Sequence, residues 1–185
     1  MIPVTQLRKG VVFEEDGQLW RVLEYEHYKP GRGNAIIRTK LRNLRTNSTV
    51  SRTFLSGASV QDVRLDHRTV QFLYGDGDYY HFMDVESFEQ PMLSAEVLAD
   101  VIPYLKEGIT IDLELHEGEP VGIEMPITVD LTVTDAPPGY AGDTATGATK
   151  QVTLETGMKL DVPLFIETGD VVRVDTRTGQ YLTRV

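Results

Sequence analysis

The chain lacks cysteine, so it forms neither a disulfide framework nor a thiolate nucleophile. It also lacks any apolar run as long as a membrane-spanning helix, and residues 1–10 do not contain the apolar core of a secretory signal. These absences argue against a disulfide-rich secreted scaffold and against a membrane partner. We expect a soluble, cytoplasmic protein.

The sequence is also poor in catalytic and metal-binding motifs. Its four histidines are scattered along the chain: His27, His67, His81 and His116. No two of them have ligand spacing, and no GxSxG, HExxH or P-loop is present. Asp76, Asp78 and Asp84 lack the later glutamate of an EF-hand, so a turn is favoured over a calcium site. Since nothing pairs a nucleophile with a base, we predict no enzyme activity, no metal and no cofactor.

Positive charge is scarce overall but unevenly distributed. The net charge is −10, yet residues 1–64 hold 11 Lys or Arg against 6 Asp or Glu. Residues 65–127 hold 2 against 14, and residues 128–185 hold 5 against 8. A basic first third beside an acidic middle can orient a protein on a polyanion, although the acidic part can also serve solubility alone.

Short strands separated by turns account for nearly all of the chain. Runs such as 18–28, 159–163 and 171–175 are bounded by Gly, Asp or Pro, as strands are. The pattern also includes a short apolar strand at 164–166, and its one exception is a predicted helix at 94–102, stopped by Pro103. The pattern predicts three small barrels of the SH3-like or oligonucleotide-binding kind, with domains 1–64, 65–127 and 128–185.

The segment 27–35 predicts a tight loop at the end of a long hairpin. Pro30 fixes its own φ, and Gly31 and Gly33 can take positive φ on either side of Arg32. An eleven-residue strand such as 18–28 extends roughly 36 Å. Arg32 would thus be held far from the centre of a small domain, where it could contact another molecule. An ordinary solvated turn explains the same composition.

Further cations follow the loop. Arg38, Lys40 and Arg42 fall on one face of the next strand by alternation and could follow a phosphate backbone. The alternative is an edge strand guarded against aggregation. Tyr25 and Tyr28 could stack on bases, although aromatic residues in strands more often belong to a core.

Two features of the last third could also contact RNA. The segment 142–150 is rich in small and hydroxyl residues and ends in a lysine, so it can hydrogen-bond a nucleic-acid backbone. Tyr181 and Arg184 could stack and bind phosphate, or merely finish the last strand.

Long motifs along the whole chain resemble bacterial elongation factor P. The tip loop Lys29-Pro30-Gly31-Arg32-Gly33 is similar to the family's Lys-Pro-Gly-(Lys or Arg)-Gly. Residues 74–84 resemble its middle-domain motif, with the tyrosine spacing slightly different, and Gly142-Asp143-Thr144 matches its third-domain loop. Residues 150–176 resemble its C-terminal signature, with Gln151 where the family often has a small apolar residue.

The resemblance implies an SH3-like, KOW-type first domain followed by two OB-fold domains, arranged as an L. It implies a monomeric translation factor that binds the ribosome beside peptidyl-tRNA and relieves stalling at consecutive prolines without catalysis of its own. It also implies that a modifying enzyme could extend Arg32, for instance with rhamnose. The predicted tRNA- and ribosome-binding residues are Lys29, Pro30, Gly31, Arg32, Gly33, Asn34, Arg38, Lys40, Arg42, Gly142, Asp143, Thr144, Tyr181 and Arg184.

Two other functions are weighed against this one. A general RNA-binding array of barrels would show salt-dependent affinity for arbitrary RNA, without a preference for ribosomes that carry peptidyl-tRNA. A hydrolase using Asp and His in the acidic middle has the least support, and loss of turnover on His81→Ala or His116→Ala would favour it.

Overall fold

The computed structural model describes residues 1–139 and 148–185, and nearly all regular structure there is β-strand. The strands form three sheets of six, five and five strands. The predicted all-β class is therefore confirmed. No helix in these residues is long and apolar enough to cross a membrane.

The strands follow the three sheets in chain order. The first sheet contains β1 (Ile2–Pro3), β2 (Val12–Glu15), β3 (Gln18–Tyr28), β4 (Ile36–Asn43), β5 (Thr49–Leu55) and β6 (Ser59–Val63). The second contains β7 (Asp66–Gly75), β8 (Tyr79–Asp84), β9 (Met92–Ser94), β10 (Thr110–His116) and β11 (Glu119–Glu124). The third contains β12 (Thr128–Asp135), β13 (Thr149–Leu154), β14 (Lys159–Pro163), β15 (Val171–Asp175) and β16 (Tyr181–Arg184).

The chain divides into two compact units. Unit 1 comprises Met1–Arg68, Met92–Ala99 and Leu113–Gly122, and unit 2 comprises Thr69–Pro91, Asp100–Asp112 and Ile123–Val185. The second sheet contributes strands to both units. The division into domains 1–64, 65–127 and 128–185 stays a prediction.

The first sheet has the order β1-β6-β2-β3-β4-β5 and belongs to unit 1. Alternating side chains of its strands meet in a core that includes Phe13, Val22, Ile37, Leu41 and Phe54. The period of two along β3 and β4 produces this core, because every second side chain points to the same face of a strand. The remaining side chains of these strands are free to form an outer face.

A β-bulge interrupts the pairing of β3 with β4. Val22 lies opposite Leu41, but Glu24 lies opposite Lys40, so one extra residue is accommodated in β3. Beyond the bulge, Tyr25 continues on the core side and its hydroxyl donates to the Thr5 carbonyl at 3.3 Å. The bulge therefore decides which residues of the outer half of β3 face outwards.

A buried ion pair lies within unit 1. The Arg21 guanidinium of β3 donates to the Glu114 carboxylate of β10, with Nη2 and Oε2 2.6 Å apart. The Glu114 side chain is only 8% exposed and that of Arg21 is 26% exposed. The pair therefore joins the base of the β3–β4 hairpin to β10.

The third sheet, of order β14-β13-β12-β15-β16, forms most of unit 2. Its core contains aliphatic residues of β12, β13, β14 and β15, such as Leu131, Val152, Val162 and Val172. Tyr104, from a single turn of 3-10 helix at Ile102–Tyr104, is buried in the same core. Thus the segment before β10 contributes a side chain to the core of this sheet.

Two local predictions are wrong. Residues 95–101 form turns rather than the helix predicted at 94–102: Ser94 ends β9, and Ile102 begins a 3-10 turn that contains Pro103 instead of ending before it. The Ser94 hydroxyl still accepts from the Val97 backbone N–H at 3.3 Å, so the predicted cap is formed on a turn. Residues 164–166 are also not a strand. Short segments of this kind have too few local contacts to determine their conformation.

Candidate nucleic-acid interface

The loop between β3 and β4 extends beyond the last paired residues of the hairpin. Tyr28 pairs with Ile36, and residues 29–35 between them form no strand. Gly33 has φ +103°, a conformation that a residue with a side chain rarely adopts, so glycine is needed there. Gly31 does not take positive φ. One of the two glycines therefore shapes the loop as predicted.

The loop presents two unneutralised cations to solvent. Lys29 and the stretch 31–34 are exposed. In the described part of the chain, no ion pair or hydrogen bond involves the side chain of Lys29 or of Arg32. A guanidinium and an ammonium without an internal partner are available to bind phosphate oxygens.

The base of the loop is braced by an aromatic contact. The Arg38 guanidinium carbon lies 4.8 Å from the centre of the Tyr28 ring, and Tyr28 is 45% exposed. A cation over an aromatic face contributes about 0.5–1 kcal/mol at an exposed site. The Ser56 backbone N–H also donates to the Ala35 carbonyl at 3.1 Å. The loop is thus held at both ends.

The predicted row of cations lies on one face of β4, as the alternation indicated. Arg38 and Lys40 are exposed and Arg42 is partly exposed, whereas Thr39 and Leu41 between them are buried. The geometry of the row is therefore confirmed. Its role in binding phosphate stays a prediction.

Carboxylates of β3, however, face this row. The Lys40 ammonium lies 3.8 Å from the Glu24 carboxylate, and Glu26 pairs in register with Arg38. Across β4, the hydroxyl residues Ser51 and Thr53 pair with Lys40 and Arg38. The outer face is therefore a mixed polar surface, on which part of the positive charge is neutralised.

The sequence pattern did not predict that Glu24 and Glu26 face the cations of β4. Glu24, Glu26 and Tyr28 show the period of two that marks one strand face. Their position opposite the cations depends on the bulge after Val22, which alternation alone does not reveal. The tip loop is therefore the more positive part of this surface.

Two of the predicted residues of the last third, Tyr181 and Arg184, lie in strand β16 of the third sheet. Arg184 lies 3.9 Å from the Asp170 carboxylate and 5.2 Å from the centre of the Phe165 ring. Tyr181 is half-buried and packs against the core. Gly142, Asp143 and Thr144 lie outside the described residues. Arg184 would have to exchange its contacts to bind phosphate.

His81 has a hydrogen-bond partner near the end of the β7–β8 hairpin. The His81 imidazole Nε2 lies 3.0 Å from the Asp76 carboxylate, and the Tyr74 ring stacks on the imidazole at 4.5 Å. The hydrogen bond with His81 and the N–H of Tyr79 keep the pKa of Asp76 below its usual range. Asp76, His81 and Tyr74 lie near the turn that joins β7 to β8. In the residues described, no group of three or more His, Asp or Glu is placed to hold a metal ion.

Three family models match the chain one after another. The model of the elongation factor P (EF-P) KOW-like domain matches residues 3–60, and that of the EF-P OB domain matches residues 65–123. The model of the elongation factor P C-terminal domain matches residues 129–184. Together with the three sheets, these matches confirm the predicted KOW-like and OB fold class.

Known proteins are similar to the chain over all or part of its length. Two solved structures are the eukaryotic translation initiation factor 5A from Methanococcus jannaschii and a translation initiation factor eif-5a family protein from Naegleria fowleri. The first is 23% identical with a TM-score of 0.49, over 66% of this chain and 90% of its own. The second is 16% identical with a TM-score of 0.41, over 67% and 96%.

A relative of full length carries the assignment. Elongation factor P from Moorella thermoacetica is 50% identical over 184 residues, which cover 100% of both chains. With the family models, this identity shows that the chain belongs to the elongation factor P family of translation elongation factors.

Proposed function

We propose that the chain binds the ribosome beside peptidyl-tRNA and stimulates peptide-bond formation where consecutive prolines slow it. One observation carries the proposal: Lys29 and Arg32 are exposed at the end of a long hairpin and, among the described residues, have no internal partner. The chain positions the acceptor end of peptidyl-tRNA and supplies no catalytic group.

The chemistry of proline explains why position is enough. Proline is a poor nucleophile and a rigid acceptor, so transfer of the peptide to it is slow. Correct orientation of two reactants can supply roughly 7–11 kcal/mol of a reaction barrier, and misalignment removes part of that gain. A protein that steadies the acceptor end of peptidyl-tRNA therefore restores rate without transferring a proton.

The tip loop makes the central contact in this proposal. Arg32 is suited to bidentate hydrogen bonds with phosphate, and Lys29 adds a mobile positive charge. Pro30, Gly31, Gly33 and Asn34 shape the loop so that both cations reach the tRNA.

Other surfaces add contacts of lesser strength. Arg38, Lys40 and Arg42 bind RNA more weakly than the tip, because Glu24 and Glu26 lie across from the row. In the last third, the RNA-binding residues are Gly142, Asp143, Thr144, Tyr181 and Arg184. The chain works as a cytoplasmic monomer with domains 1–64, 65–127 and 128–185.

Arg32 is also a candidate for covalent modification. Its guanidinium is exposed, and the resemblance implies that an arginine tip can receive a rhamnose from a modifying enzyme. Intact-mass measurement of natively purified protein tests this hypothesis. A mass equal to that of the unmodified sequence rejects it.

The function is tested in a reconstituted translation reaction that makes peptides with and without a Pro-Pro-Pro stretch. We expect the chain to accelerate only the first reaction. Arg32→Ala should remove most of this effect without lowering the melting temperature, because an exposed loop cation buries little surface. Arg64→Ala, which removes another exposed cation of the first third, serves as the matched control and should remain active.

Three results would contradict the proposal. Equal acceleration of the proline-free peptide would indicate a general effect on translation. Affinity for arbitrary RNA without preference for ribosomes that carry peptidyl-tRNA would favour a general RNA-binding protein. Unfolding of Arg32→Ala would show that the arginine is structural.

A further inference from the structure

Three tight turns of the chain share one construction. In each, the side-chain oxygen of an Asn or Asp accepts backbone N–H groups two and three residues later, at 2.7–3.3 Å. The backbone carbonyl of the same residue accepts the N–H of the fifth residue at 2.8–2.9 Å. The fifth residue has positive φ in all three. The turns run 43–47, 84–88 and 175–179.

The fifth position is occupied by Asn47, Phe88 and Gly179, with φ of 60°, 61° and 72°. Glycine and asparagine tolerate the left-handed conformation, whereas a bulky residue there is an outlier. The other two turns therefore show which residues this construction prefers. The backbone of the turn does not account for Phe88.

Packing does not account for Phe88 either. Its side chain is 67% exposed, and the neighbouring Val85 is 40% exposed. By contrast, Asp84 at the start of the turn is buried, and its backbone N–H donates to the Glu89 carbonyl at 2.8 Å. A fixed turn thus presents an aromatic ring to solvent, and such preorganisation lowers the entropy lost on binding.

The surrounding charge indicates the kind of partner. Residues 69–91 contain no Lys or Arg but five carboxylates, Asp76, Asp78, Asp84, Glu86 and Glu89. A segment of this composition repels the phosphates of RNA. It is complementary to a protein surface that is apolar at its centre and basic at its rim. An exposed aromatic ring is a frequent anchor of such interfaces.

We infer that Phe88 is a docking anchor, which inserts into an apolar pocket on a basic protein of the ribosome. The inference rests on the proposed function, since it takes the ribosome as the binding partner. Val85 lies beside the anchor, and Glu86 and Glu89 contact the basic rim. The contact adds affinity from unit 2, separately from the RNA contacts of the tip loop.

Substitution of Phe88 by residues that suit the turn tests the inference. Phe88→Asn and Phe88→Gly should leave the melting temperature equal or raise it, because both residues tolerate positive φ. Their affinity for purified ribosomes, measured by co-sedimentation, should fall at least about tenfold. Ile127→Asn removes a side chain that is 60% exposed and should bind normally.

The two proposals fail in distinguishable ways. If the unaltered chain does not bind ribosomes, both are overturned. If the chain binds and Phe88→Asn binds equally well, only the docking anchor is overturned. A lower melting temperature for both Phe88 variants would show that the ring stabilises the fold, and it would also overturn the docking anchor.

The chemistry of the partner is tested by cross-linking. A photo-reactive phenylalanine derivative at position 88 of the full chain should cross-link to a ribosomal protein on illumination of the ribosome complex. Cross-linking to ribosomal RNA or to tRNA, or to nothing, overturns the inference. The same derivative at position 32 should cross-link to RNA, and this result belongs to the proposed function alone.

Discussion

Loss of Glu114 should destabilise unit 1 considerably. The carboxylate accepts a 2.6 Å hydrogen bond from the Arg21 guanidinium and also lies 3.8 Å from the His67 imidazole. Glu114→Ala removes the acceptor and leaves Arg21 about three-quarters enclosed, since its side chain is 26% exposed. An enclosed cation without its partner is costly, because water can replace the lost contact only in part.

The magnitude follows from the burial of the two side chains. Breaking a fully buried ion pair costs roughly 3–5 kcal/mol. Because Arg21 retains some access to water, we expect Glu114→Ala to lower the free energy of unfolding by about 2–3 kcal/mol. Arg21→Ala should have a similar effect, and the double variant should lose less than the sum of the two. The coupling energy should be about 1–2 kcal/mol.

Trp20 provides the assay. It is the only tryptophan, it is partly buried, and it adjoins Arg21 in β3, so its fluorescence reports the unfolding of unit 1 in urea. The matched control is Arg45 with Glu119, an ion pair of the same unit at 3.8 Å whose side chains are 51% and 64% exposed. That pair should couple by less than about 0.5 kcal/mol.

Equal coupling in the two pairs would refute the reasoning, since burial is the property that distinguishes them. So would a Glu114→Ala variant with the stability of the unaltered chain. Either result would mean that water replaces the Glu114 contact at no cost.

Three further changes test the tip, the charged face and the response to acid. Gly33→Ala should lower the free energy of unfolding by about 1 kcal/mol and weaken stimulation at consecutive prolines, because φ +103° is strained for alanine. Gly31→Ala should be tolerated, and translation of the Pro-Pro-Pro peptide compares the two variants. Glu26→Gln should raise the affinity for a short RNA about two- to fivefold at low salt, since it removes the carboxylate opposite Arg38. This gain should vanish at high salt, and Glu96→Gln, which removes another exposed carboxylate, should not raise the affinity. The Arg173 guanidinium holds the pKa of Asp130 below its usual range, so this pair stabilises the fold above about pH 4 and is lost as the pH falls further. Asp130→Asn should therefore melt at a lower temperature than the unaltered chain at pH 6, and the difference should shrink towards pH 3; a constant difference would contradict the sign.

Much of the fold was predictable because strands leave a local pattern. Strand β3 begins and ends at the predicted residues 18 and 28, as do β14 and β15 at theirs. In these runs the alternation is regular and turn residues bound both ends. The exposed loop with Arg32 and the common face of Arg38 and Lys40 follow from the same pattern.

The remainder depends on contacts between distant parts of the chain. Strand β6 at Ser59–Val63 pairs with both β1 and β2, and little in its own sequence marks it. The burial of Tyr104 in the core of the third sheet likewise requires that sheet to be present. The pairing of Glu26 with Arg38 depends on a register shift, which a single sequence does not show.

The bulge after Val22 determines which side chains of β3 lie on each face of the hairpin. Paired without the bulge, the same residues would place Leu23 opposite Lys40 and Tyr25 opposite Arg38, and Glu24 and Glu26 would turn towards the core. A register shift of one residue would thus replace the two carboxylates of the outer face by Leu23 and Tyr25, with no change in the sequence. The charge on this face of the hairpin is therefore set by a local backbone conformation as well as by the charged residues themselves.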